Sequence, residues 1–411
     1  MSERLKIVVA GGGAAGFFAA ITCAESIPDS DVVLLEKSPE LLAKVTISGG
    51  GRCNVTHACF DPARLAEHYP RGQRELLGPF HRFQPRDTVR WFEERGVELK
   101  TEPDGRMFPV TDKSTTITGC LINEAREAGV RLFTGKGLAS AVRTERGFVL
   151  ELTDGSRMEC GRLLIATGGN QNSPVFDLIK KLGHTVQPLR PSLFSFHCED
   201  PRLKDLAGVS VAGVEVSVPG TSLRQRGPML VTHHGLSGPA ILKLSAWGAP
   251  RFHELDYHFS IEANWVPGAR EADIRAAIAA CREEHPKKIV MNYNPWGIPV
   301  RLWNSIAAHA GISHANIWNQ LSRAQIDALS RELVRSEFRI NGKSMNKDEF
   351  VTCGGVSLAE VDFKTMQSKK CRGLYFAGEV LDIDGVTGGF NFQSAWTTGW
   401  IAGKSMGQEI E

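Results

Sequence analysis

Gly11, Gly12, Gly13, Ala14, Ala15 and Gly16 form a G-x-G-x-x-G run near the start of the chain, and Glu36 follows twenty residues past the last glycine. Residues without a side chain let the backbone turn tightly and approach a pyrophosphate, while an acidic side chain at the end of the next strand can hold a ribose diol. The run and the carboxylate together point to a dinucleotide. They do not separate FAD from NAD.

Two later segments favour FAD. One is an apolar run ending in Ala166-Thr167-Gly168-Gly169, suited to a backbone crossing close over a cofactor. The other runs through Gly378 and Glu379 to Gly388, Gly389, Phe390 and Asn391, where a glycine-rich turn opens a helix. Backbone N–H groups at such a helix start can face the pyrimidine edge of a flavin and stabilise negative charge on the reduced ring.

Cys53 sits in a second glycine loop, Ser48-Gly49-Gly50-Gly51-Arg52-Cys53-Asn54. Beside a flavin its thiol could donate a proton to substrate, tuned by a nearby cation; a buried structural cysteine explains the same residue. His233 reads either as an acid or substrate clamp or as a turn histidine, with His234 beside it. No H-E-x-x-H, G-x-S-x-G or Walker A pattern occurs, and no cysteine pair is spaced as C-x-x-C, so metalloprotease, serine-hydrolase, P-loop and structural-zinc readings lack support and no metal site is expected.

The elements that must position these residues follow from periodicity. Residues 5–37 read as strand, glycine turn, helix and strand, a βαβ unit that implies a parallel sheet. A helix is expected around 88–92 and another over 114–128, capped by Ser114. Strands are expected at 130–133, 148–152 and 163–167, the last two flanking a turn at Asp154-Gly155. Short alternating runs such as 209–218 suggest an inserted β-rich domain. Helical patterning then covers 272–281, 299–309, 315–320 and 323–334, strands return at 337–340 and 373–376, and a last helix spans 392–406.

The 411 residues exceed what one core usually organises. A composition 42% hydrophobic and 23% charged, with net charge +2, marks neither a nucleic-acid carrier nor an acidic tail. Arginines and histidines concentrate between Arg52 and Arg95, which suits an anionic substrate or simply a solvated surface, since acids share the stretch. Nine scattered cysteines argue against a disulfide framework and for a reducing, cytoplasmic setting. The glycine-interrupted apolar run at 7–23 is a poor membrane span, and no membrane partner is expected.

The chain resembles the BaiN/RdsA-type NAD(P)/FAD-dependent oxidoreductases, also labelled YhiN-like or aminoacetone-oxidase-family flavoproteins. The resemblance rests on GGGAAG at 11–16, SGGGRCN at 48–54, ATGG at 166–169, THHGLSGPAIL at 232–242, TCGGV at 352–356 and GEVLDIDGVTGGFNFQSAW at 378–396. It implies an α/β fold: a glutathione-reductase-like FAD domain at 1–191 and 355–411, interrupted by a β-barrel at 192–267 with its return strand at 336–354, and by a helical domain at 268–335. It places Gly11, Gly13, Ala14, Ala15 and Gly16 at the pyrophosphate, Glu36 and Lys37 at the adenosine ribose, and the Leu138 backbone at the adenine. Gly50, Gly51, Arg52, Thr167, Gly168, Gly378, Glu379, Gly388, Gly389, Phe390 and Asn391 line the rest. The segment after ATGG is shorter than in many relatives, and Phe390 and Phe392 stand where Tyr and Leu are common.

With one dinucleotide fingerprint, NAD(P)H would reach the flavin without a second Rossmann domain. The resemblance offers reduction of a uridine in large-subunit ribosomal RNA to dihydrouridine. A small-molecule substrate, for ene reduction or amine oxidation, and a non-catalytic flavin-binding redox sensor are the other readings.

Overall fold

The computed structural model describes residues 4–344 and 351–407. The described residues form two compact units, one made of residues up to Pro191 together with those from Val351 onward, the other running from Ser192 to Ser344.

The first unit is built on a parallel sheet of β1 (Lys6–Ala10), β2 (Asp31–Leu35), β3 (Arg131–Phe133), β4 (Arg162–Ile165) and β7 (Leu374–Phe376), in the order β7-β4-β1-β2-β3. Two short antiparallel pieces, Val361–Asp362 and Gln367–Ser368, extend the β7 edge. Ile7, Val8 and Val9 of β1 and Leu163, Leu164 and Ile165 of β4 are fully buried, the continuous apolar run expected of a strand covered on both faces. Chain order reverses between β1 and β4. In a doubly wound sheet the crevice beyond the strand ends at such a switch point receives the ligand, and Gly11 and Ala166 sit there.

Helix α1 (Ala14–Ser26) and helix α3 (Phe390–Ser405) come from opposite ends of the chain and pack backbone to backbone. A Cβ on Gly399 would lie 2.5 Å from the Ala15 carbonyl oxygen, and one on Gly403 would lie 2.6 Å from that of Ala19. Beside this sheet, β5 (Val186–Ser192) pairs with β6 (Val351–Val356).

The second unit is a closed six-stranded barrel in the order 195–197, 235–237, 224–232, 210–217, 258–264, 336–344. Its strand Ser336–Ser344 alternates buried and exposed residues, as one sheet face toward a core requires. Helices Glu271–Glu284, Val300–His309 and Arg323–Arg335 share that core through Ile278, Trp303, Leu329 and Leu333.

Several expectations are corrected. The strand facing 148–152 across Asp154-Gly155 is Arg157–Cys160; residues 162–165 leave the hairpin and join the parallel sheet as β4. Ser114 is the first helical residue and buried, so it does not cap; Lys113 holds that position without a side-chain bond. Residues 239–254, read as part of a β-rich stretch, form a helix that opens on Pro239, a residue preorganised for the first turn. Residues 315–320 reduce to a 3-10 turn at Trp318–Gln320. The segment 336–354 divides, with 336–344 in the barrel and 351–356 paired to β5 in the first unit. Among the described residues no helix is long and apolar enough to cross a membrane, and no cluster of histidine, cysteine and carboxylate groups could hold a metal ion.

Candidate functional site

Gly11 follows β1 with φ +120°, and a Cβ there would lie 2.3 Å from the Ala166 carbonyl oxygen, so the strand ends of β1 and β4 meet only over a glycine. Gly13, the N-cap of α1, is different. Its backbone is extended and nothing lies within 4 Å of where a Cβ would project. The first turn of α1 carries no acidic side chain, so its free N–H groups and positive dipole end face a space that suits an anion.

Glu36 closes this loop from β2. Its carboxylate accepts the Gly12 N–H at 2.8 Å, the Ser38 N–H at 2.9 Å and the Ser38 hydroxyl at 3.0 Å. Two carboxylate oxygens offer about four lone-pair sites, which leaves capacity for one hydroxyl of a ribose. The Glu36 carbonyl accepts the Lys136 N–H at 2.8 Å, bringing the chain that leads into Leu138, itself buried, alongside Lys37.

At the other side of α1, Gly378 approaches Ala15 so closely that a Cβ would lie 2.8 Å from the alanine methyl. Glu379 then spans three segments. It accepts the Lys44 ammonium at 2.7 Å and the Thr352 N–H at 2.8 Å, and its side chain borders Gly168 and Gly169. The Thr167 hydroxyl is buried and has no hydrogen-bond partner among the described residues. A buried hydroxyl left unsatisfied costs about 1–3 kcal/mol, so a partner is to be expected there. The open direction above Gly13 and this hydroxyl both fit a bound dinucleotide.

The glycine loop after helix α2 (Ala43–Gly51) breaks that helix at Ser48, and Gly49, Gly50 and Gly51 all adopt left-handed φ. Space beside Gly50 and Gly51 is open. Arg52 turns away from the loop: its guanidinium donates to Glu102 at 2.7 Å, pairs with Asp112 and lies 3.9 Å above the Phe108 ring. It therefore supplies no cation for Cys53. That residue is fully buried in the left-handed region (φ +62°), and burial pushes its thiol up to about 12, so it stays protonated and unactivated.

Helix α3 begins at Gly389, and its first turn also lacks acidic residues. The Asn391 amide bonds both the N–H and the carbonyl of Gly385, locking the glycine turn. The Phe390 ring is buried and packs against both His57 and His68, with ring centroids 4.7 and 4.1 Å away, and its carbonyl accepts the Tyr69 hydroxyl at 2.6 Å. Its ring is thus committed to the protein, leaving only its backbone available to a cofactor. His57 and His68 also line a cleft of about 520 Å³ with Cys59, Phe60 and Arg64.

His233 is exposed, at the two-residue turn between Arg224–Thr232 and Gly235–Ser237 of the barrel unit. Lys44 carries no sequence signal, and Thr352 and Gln393 lie in the motifs at 352–356 and 378–396 with no role evident from sequence; here Gln393 accepts the Thr56 and Thr88 hydroxyls at 2.6 and 2.9 Å in a buried network. Nothing in residue spacing signals them, because each partner comes from a distant segment. Buried polar residues on an otherwise apolar helix, Gln393 and Thr397, were the available hint.

The parallel sheet and glycine turn are of the Rossmann dinucleotide-binding type, and the family match makes the chain an FAD-dependent oxidoreductase. The chain belongs to the family described as HI0933-like protein Rossmann domain, whose model matches residues 5–405. It is 30% identical over 413 residues to the ribosomal RNA dihydrouridine synthase of Escherichia coli, covering 98% of each chain. It is 26% identical over 411 residues to the 3-dehydro-bile acid delta(4,6)-reductase of Clostridium scindens, covering 98% of this chain and 99% of that relative. In fold it is similar to the 3-ketosteroid-delta4-(5alpha)-dehydrogenase of Rhodococcus jostii, with TM-score 0.51, 16% identity, and coverage of 100% and 98%.

Proposed function

We propose that this FAD enzyme uses NAD(P)H to reduce a carbon–carbon double bond conjugated to a carbonyl, with a uridine of 23S ribosomal RNA as the substrate. The flavin, when bound, supplies the hydride. Gly11, Gly13, Ala14, Ala15 and Gly16 hold its pyrophosphate, Glu36 and Lys37 the ribose, and the Leu138 backbone the adenine. Gly50, Gly51, Thr167, Gly168, Gly378, Glu379, Gly388, Gly389, the Phe390 backbone and Asn391 shape the flavin end. Cys53 serves packing under this loop.

The observation that carries the RNA reading is the end-to-end similarity to the E. coli enzyme. The cleft beside Phe390 is compatible with it: Phe60 is 39% exposed, the Arg86 guanidinium lies 5.4 Å over its ring, and Arg64, His57 and His68 line the cleft together with Asp61 and Glu67. An aromatic face beside arginines suits an unstacked base and its phosphates. A cytoplasmic location goes with that substrate. The similarity to the bile-acid reductase favours a second reading, reduction of a small enone.

The test is an absorbance spectrum of the purified protein, anaerobic titration with NADPH, then addition of unmodified ribosomal RNA. A flavin spectrum that bleaches and recovers with RNA is expected. Bleaching without recovery would redirect the reading to a small-molecule acceptor, and a protein that takes up no FAD would overturn it.

A further inference from the structure

One ion pair completes a ring of contacts at the start of helix α1. From Gly12 the chain runs through Gly13 and Ala14 to Ala15, and Gly378 lies against the Ala15 methyl. The next residue, Glu379, binds the Lys44 ammonium at 2.7 Å. The chain from Lys44 back to Leu42 returns to Gly12, whose carbonyl accepts the Leu42 N–H at 2.8 Å. Leu42, Ala15 and Gly378 are buried, so every link except the ion pair is backbone or packed interior.

The two ends of the cradle attach to this ring at different links. Glu36 joins it at Gly12, through the Gly12 N–H at 2.8 Å. Gly168 and Gly169 join it at Glu379, where Cβ atoms on them would lie 3.8 and 3.0 Å from that side chain. A dinucleotide held by Glu36 at its adenosine and by the glycine turns at its flavin has to cross the ring where α1 leaves open space above Gly13.

The partners of the ion pair are built differently. Glu379 is fixed, since its other carboxylate oxygen accepts the Thr352 N–H at 2.8 Å and its Cγ is pressed against Gly169. The Lys44 side chain is long, flexible and 54% exposed, so it can swing into water without disturbing the fold. An exposed pair of this kind adds little to stability, and what it does here follows from where it lies.

We propose that Lys44 is the retaining residue of the cofactor site: its ion pair with Glu379 is a strap across the crevice that opens for FAD to enter and again for FAD to leave. The inference rests on the placement of FAD given above. A strap slows passage in both directions. A lysine that only attracted the phosphates would act differently, speeding entry and slowing exit.

The test is the kinetics of FAD binding and release, followed by flavin fluorescence with NADPH and RNA absent. K44M is expected to bind FAD and to release it about two- to fivefold faster than the wild type, the factor an exposed ion pair supplies, with the dissociation constant nearly unchanged. K44R, which keeps the charge, should return both rates toward the wild type. Salt at about 1 M screens the pair and should quicken release from the wild type but hardly from K44M. Wild-type rates in K44M, or faster release coupled to slower binding, would sink the strap. A protein that takes up no FAD would instead overturn the cofactor reading on which it rests.

Discussion

The Lys44 ammonium lies 2.7 Å from the Glu379 carboxylate, joining the helix before the second glycine loop to the segment that follows the last strand of the sheet. The two partners are unequal. The Lys44 side chain is 54% exposed, so the pair itself contributes at most about 1 kcal/mol. Glu379 also holds the Thr352 N–H. Lys44→Met is therefore expected to shift the urea midpoint slightly, and Glu379→Ala clearly more, because it strips a backbone donor as well. Equal effects would show that the Thr352 bond contributes nothing.

Gly11 and Gly13 are expected to fail in different ways. Gly11→Ala drives a methyl into the Ala166 carbonyl at a left-handed φ, so it should lower the thermal stability of the apoprotein. Gly13→Ala meets no protein atom and should leave that stability intact, while weakening FAD by about tenfold or more through obstruction of the pyrophosphate. Fluorescence titration with FAD beside apoprotein melting curves separates the two.

Arg71 and Asp384 form a bidentate pair in which the carboxylate is wholly buried. Arg71→Met strands that charge and is expected to cost about 3–5 kcal/mol, whereas Arg71→Met combined with Asp384→Asn should recover a large part. A double-mutant cycle by chemical denaturation measures the coupling; additive losses would refute it.

Alkaline pH should unfold the protein through its thiols. Burial pushes Cys23, Cys53, Cys120, Cys160 and Cys198 up to about 12 and Cys353 up to about 11, from an ordinary 9.0. Each raised value means the unfolded chain loses its proton first. Their contribution is complete below pH 9 and is lost as pH rises toward the folded values. Urea midpoints at about pH 8 and about pH 10.5 should differ, and Cys53→Ala should narrow the gap. A flat profile would show that these thiols titrate normally in the folded state.

Much of the scaffold was legible in the chain, and the reasons are local. Leu5 through Glu36 carry strand, turn, helix and strand signals within one short stretch, and Gly388-Gly389 announce the helix that opens at Phe390. Legibility fails where a decision depends on distant partners. Nothing near Leu163 tells it to leave the Asp154-Gly155 hairpin for a place between β1 and β7. The apolar spacing of Ile241, Leu244 and Phe252 was hidden by the glycines and prolines around it. Arg52 looked poised to activate Cys53 because the two are neighbours in sequence, yet Glu102 captures the guanidinium and the thiol points into the core.

The glycine seam between α1 and α3 bears on how the protein comes into being. Gly399 and Gly403 let the last long helix lie directly on the backbone of the first, at Ala15 and Ala19. Until that late segment emerges from the ribosome, the face of α1 that carries Ala15 and Ala19, with Phe18 set against Trp396 at 4.8 Å, lacks that part of its cover. Contacts between opposite ends of a long chain close late and slowly. Nascent chains of this protein should therefore be chaperone clients for nearly the whole of their synthesis.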